Sequence, residues 1–146
     1  MSKYSDLWQV LGETLCKYHG LDHSRFIEGY EAESTIRKKA HFLFLLEVAL
    51  FEYRKNEIGI WFKQSPEETL HSFIYSKTGI LPDQFDKLSN NAKLIVLHKP
   101  LTELVLPEVA QTHLNNLVKP VASDDFDIDP FEGWTLGTGW QYLKQE

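Results

Sequence analysis

The sequence predicts a mainly α protein: a single compact helical domain with a long central helix. Three observations carry that prediction. Residues 34–55 contain neither Gly nor Pro and become almost uniformly apolar through Phe42, Leu43, Phe44, Leu45 and Leu46, a length of about six turns at 3.6 residues per turn. Ser65-Pro66-Glu67-Glu68 combines a Ser cap, a Pro at the first helical position and a Glu three residues after the Ser, which is a capping box. Leu7, Val10, Leu11, Leu15 and Tyr18 recur at helical spacing near the start of the chain.

Taken in order, the first helix is expected over residues 5–19, with Ser5 as N-cap and Gly20 as its stop. The central helix follows over 34–55, entered through Arg37-Lys38-Lys39, which reads as an exposed basic turn; Leu43, Leu46 and Leu50 are its expected buried residues. The Ser65 box starts a helix that runs through Leu70, Phe73 and Ile74 to Gly79, and Leu81-Pro82-Asp83 opens a short one. Asn90 or Asn91 caps a segment containing Leu94, Ile95, Val96 and Leu97 that ends before Pro100. Four apolar residues between turn formers also fit a strand, and residues 58–62 are the matching partner, so a small two-stranded β element is the alternative here. Pro107 opens the last expected helix and Pro120 closes it. Residues 1–120 are thus read as a helical core domain. Residues 121–146 form an acidic aromatic C-terminal segment, packed on the core or extending from it.

Composition narrows the function classes. A chain of 146 residues, 42% apolar and 13% aromatic, suits one globular domain and is too apolar to be disordered throughout. Cys16 is the single cysteine, so no intramolecular disulfide or multi-cysteine zinc site can form, and a reducing cytoplasmic location is expected. The longest apolar stretch, residues 42–51, is interrupted by Glu47 and is too short to span a bilayer. The net charge of −6 argues against nucleic acid and anionic membranes as partners.

That charge is concentrated. Residues 121–146 hold six carboxylates (Asp124, Asp125, Asp127, Asp129, Glu132 and Glu146) against Lys144, and so account for −5 of it. Phe126, Phe131, Trp134, Trp140 and Tyr142 are set among them, and a purely solvating tail has no use for such aromatics. The expected partner-binding residues are therefore Asp124, Asp125, Phe126, Asp127, Asp129, Phe131, Glu132, Trp134 and Trp140, with carboxylates steering a basic partner and aromatics anchoring it.

Catalytic and metal motifs are weak by comparison. Asp125, Asp127 and Asp129 have the spacing of the first EF-hand ligands, but Pro130 stands where that loop needs Gly and Leu136 where it needs a bidentate Glu. His19 and His23 are four apart, yet Gly20 interrupts their helix. Cys16 reads as a buried structural thiol. Glu47, in an apolar helix, needs a buried cation such as Arg25 or Arg54, a surface position, or a role as a tuned acid. Gly133, Gly137 and Gly139 suit turns that present Trp134 and Trp140 or fold them back onto the body. No catalytic residue, metal or cofactor is expected, and the chain is read as a non-enzyme.

In this combination of small size, acidic charge, helical content and a carboxylate-rich aromatic segment over 124–140, the chain resembles bacterial immunity proteins that neutralise nuclease toxins, including those of contact-dependent inhibition systems and colicins. The resemblance implies inhibition of a cationic toxin domain, with carboxylates standing in for phosphates. Two other readings stay open: an adaptor or regulatory subunit docking through its acidic segment, and a small hydrolase or metal-dependent enzyme using Glu47 and histidines.

Overall fold

The computed structural model describes residues 3–30, 33–58, 64–115 and 129–144. Among them are eight α-helices and no strand: α1 (Lys3–His19), α2 (His23–Glu28), α3 (Ser34–Tyr53), α4 (Pro66–Thr78), α5 (Pro82–Asp86), α6 (Asn90–Thr102), α7 (Glu108–Asn115) and α8 (Trp140–Leu143). The mainly α fold is as expected. Residues 94–97 lie within α6 rather than in a strand, and residues 59–62 of the matching stretch lie outside the described residues. No helix of the described residues is long and apolar enough to cross a membrane.

Helix α3 is the axis of the molecule, packed against α1, α2, α4, α6 and α8. Leu43, Leu46 and Leu50 are fully buried along it, and Leu7, Leu11 and Leu15 of α1 meet the same core. At its C-terminal end α3 widens into a π-helical turn, Arg54–Ile58. Helix α4 begins with the capping box the sequence spells out: Ser65 Oγ accepts from Glu68 N and Glu68 Oε1 accepts from Ser65 N. It ends at Gly79, whose φ of 77° is the left-handed stop.

Several boundaries and faces differ from the sequence reading, each for a local reason. Helix α1 starts at Lys3, because buried Tyr4 packs on Phe44 and carries the helix past Ser5, which sits in the first turn instead of capping it. Tyr18 falls at the far end of the apolar stripe and is exposed, donating its hydroxyl proton to Glu132 at 2.6 Å. Ser89, not Asn90 or Asn91, caps α6, accepting from Ala92 N. The helix passes through Pro100 and ends two residues later, because a proline in the last turn removes only one backbone bond. Helix α7 is not the last one, since α8 follows; Pro120 lies outside the described residues.

The basic entry to α3 is the largest departure. Arg37 and Lys39 are buried rather than exposed. Arg37 Nη1 donates to the Phe26 carbonyl at 3.4 Å, and Lys39 Nζ lies 3.3 Å from His19 Nε2. Burial lowers the pKa of Lys39, while the charges of Glu132 and Asp129 work in the opposite direction.

Candidate functional site

Glu47 shows how the C-terminal segment joins the body. Its carboxylate is fully buried, and neither Arg25 nor Arg54 pairs with it: Arg25 binds Glu33 at 3.0 Å, and Arg54 stacks over the Trp140 ring at 4.9 Å. Glu47 Oε1 instead accepts two neutral N–H donors from the segment, Trp134 Nε1 at 3.0 Å and Gly137 N at 2.8 Å. Oε2 has no partner at full hydrogen-bond geometry among the described residues, and the Gly139 backbone N–H beside it also favours the charged carboxylate. Burial pushes the Glu47 pKa up, and the hydrogen bonds from Trp134 and Gly137 pull partly against it. Of the three alternatives that the sequence leaves open for Glu47, ion pairing and surface exposure are thus both replaced by burial against neutral donors.

The glycines make this approach possible. Gly137 has a φ of 92°, and a Cβ there would run into the ring of Pro66. At Gly139 the obstacle is space: a Cβ would lie 2.6 Å from Leu7 Cδ1 and 2.8 Å from Glu47 Oε2. The glycine-rich run therefore folds its tryptophans inward. Trp134 and Trp140 are 8% and 6% exposed, inside the protein's own core. Of the two placements that the sequence allows, presentation to a partner and folding back onto the body, the structure has the second, with the indoles engaged with Glu47, Arg54 and the helices.

The other expected binding residues divide by position. Asp124, Asp125, Phe126 and Asp127 lie outside the described residues. Asp129 is half-buried and its Oδ1 accepts from Phe131 N at 2.9 Å, a local turn that fixes both side chains. Phe131 meets Phe42 edge-on at 5.9 Å, and exposed Glu132 is held by Tyr18.

Asp129, Phe131 and Leu136 also form one wall of a groove of about 510 Å³ whose opposite wall comes from α4 and α5. Pro66, Leu70 and Phe85 supply apolar surface; Glu67, Asp86 and Lys93 supply charge. The groove is of the size that receives a small ligand or a few partner side chains. No protein-family model, curated protein or solved structure matches this chain.

Within the groove, Glu67, His71 and Asp86 bring their ligand-type atoms to within 4.8 Å of one another, the group of this kind among the described residues. His71 Nε2 donates to Asp86 Oδ1 at 3.0 Å. The sequence reading missed this trio. Its Glu67–His71 half is visible as an i, i+4 pair on a well-marked helix, whereas Asp86 is brought in by tertiary packing alone.

The remaining candidates are structural. Cys16 is buried, which raises its pKa, with the charges of Glu33 and Asp22 adding to the effect; a thiol so placed is a poor nucleophile. His19 faces Lys39 while His23 stacks on Phe26, so the two histidines do not converge.

Proposed function

We propose that this chain is a non-catalytic binding protein that takes a basic, partly apolar segment of a protein partner into the groove between α4, α5 and the acidic C-terminal segment. The observation that carries this reading is the groove's make-up. Three carboxylates, Glu67, Asp86 and Asp129, stand against one lysine, Lys93, around an apolar lining that includes Phe85, Phe131 and Leu136. An acidic rim speeds encounter with a cationic surface, and a desolvated apolar lining slows dissociation. The buried tryptophans hold this wall in place instead of touching the partner.

The specific form we propose is immunity to a nuclease-type bacterial toxin, in which such a rim occupies a cleft built for phosphates. Co-expression with the product of the adjacent gene, followed by nucleic-acid cleavage assays with and without this protein, tests it. Equimolar protein should abolish cleavage, and Leu136→Arg, which places a cation in the groove lining, should remove protection while leaving the helical fold intact. Undiminished cleavage in the presence of the folded wild type would reject the immunity reading. Stable capture of a non-nuclease through the same groove would favour an adaptor.

A further inference from the structure

We infer that Glu67, His71 and Asp86 are the protein donors of a divalent transition-metal site of zinc type on the wall of the groove, with its remaining coordination positions open to the groove. Glu67 and His71 are four residues apart on α4 and project from one face of it. Asp86 closes α5, and its neighbour Phe85 is buried, with the His71 ring edge-on to it at 6.4 Å. The third donor is thus set by core packing rather than by a free loop.

Donor spacing fits. Tetrahedral coordination at about 2.0–2.1 Å places donor atoms roughly 3.4 Å apart. The His71 and Asp86 atoms are already 3.0 Å apart, and all three lie within 4.8 Å. Glu67 is exposed and makes no hydrogen bond or ion pair among the described residues, unlike its neighbour Glu68, which is engaged in the capping box. It can therefore swing toward the ion without giving up a contact. One imidazole with two carboxylates suits zinc and its neighbours better than calcium or magnesium, which favour all-oxygen shells. Coordination through Nε2 takes the Nδ1–H tautomer of His71: the Nε2 proton passes to solvent as Nδ1 takes one up, the Nε2–Asp86 hydrogen bond is given up, and both carboxylates then share the ion.

Zn²⁺ titration calorimetry and thermal melts on the chelator-stripped isolated chain test the site independently of any protein partner. A single Zn²⁺ per chain should bind and raise the melting temperature, and Co²⁺ in its place should give visible absorption of low coordination number. Glu67→Gln, an exposed change that leaves the fold intact, and His71→Ala should each weaken binding by more than the loss of an outer-shell partner does, which is about 10–100-fold. His98→Ala, at an exposed histidine on α6, should bind as the wild type does. Absence of zinc binding, or binding that survives both Glu67→Gln and His71→Ala, would overturn the assignment.

Discussion

Glu47 and Glu67 are the same side chain in opposite surroundings. Glu47 is sealed among apolar residues with two neutral donors and no ion pair among the described residues, so its carboxylate attaches one part of the chain to another. Glu67 stands on the open wall of a groove beside His71 and Asp86, with no hydrogen bond or ion pair among the described residues. An acid buried at this depth is costly to disturb. An acid at a groove rim is cheap to change and free to meet something else. The C-terminal segment joins the two regions, since Trp134 and Gly137 grip Glu47 while Asp129, Phe131 and Leu136 face the groove.

The sharpest break in this comparison is Trp134→Ala. It removes a buried indole and leaves Glu47 with one donor, and should cost about 3–5 kcal/mol in chemical denaturation, as for other buried Trp truncations. Trp134→Phe separates the two losses: most packing stays, and the missing N–H alone should cost about 1–3 kcal/mol. Next in size is Gly139→Ala, whose new methyl meets Leu7 and Glu47 and should destabilise by about 1–3 kcal/mol through overpacking, read as a lower melting temperature.

The pH dependence of stability sharpens the contrast further. The folded state raises the Glu47 pKa above the ordinary value of 4.5, so the folded chain holds that proton more tightly than the unfolded one. The contribution is fully present below 4.5 and is lost as pH rises through the folded value. His19 and His113 have lowered pKa values, chiefly from burial, so their contributions have the opposite sign: present above 6.5 and lost on acidification. Glu47→Gln removes only the first trend, and its stability should fall more steeply than that of the wild type as pH is lowered. Parallel curves for the two proteins would show that Glu47 titrates as an ordinary carboxylate. The smallest effect is expected at the groove: Asp86→Asn should alter metal-free stability by within about 0.5 kcal/mol.

The parts of this molecule that are legible in the sequence are those decided within a few residues. The Ser65 box, the stops at Gly20 and Gly79 and the apolar run of α3 depend on near neighbours, and the structure has them as read. Lys39 misleads because its burial depends on His19 and on carboxylates of the C-terminal segment, which no local pattern displays. For Trp134 and Trp140 the sequence leaves presentation and inward folding both open, and the close approach at Gly139, which no local pattern displays, accompanies the second. Glu47 carries a partial signal, as an acid stranded in an apolar helix. The sequence leaves a cation, a surface position or a tuned acid open there, and cannot show that an indole N–H and a backbone amide 87 and 90 residues away meet one of its oxygens. For the groove, the Glu67–His71 pair is readable from helix periodicity, while the wall formed by residues 129–136 requires the fold.

The clamp on Glu47 also bears on the order in which the protein can be assembled. Its donors stand 87 and 90 positions further along the chain, and Lys3 Nζ donates to the Leu143 carbonyl across 140. During synthesis α1 and α3 leave the ribosome long before Trp134, Gly137 and α8 are made. Without those donors, dehydrating a charged Glu47 is unfavourable. One carboxylate thus ties completion of the core around α3 to the same segment that builds the groove wall.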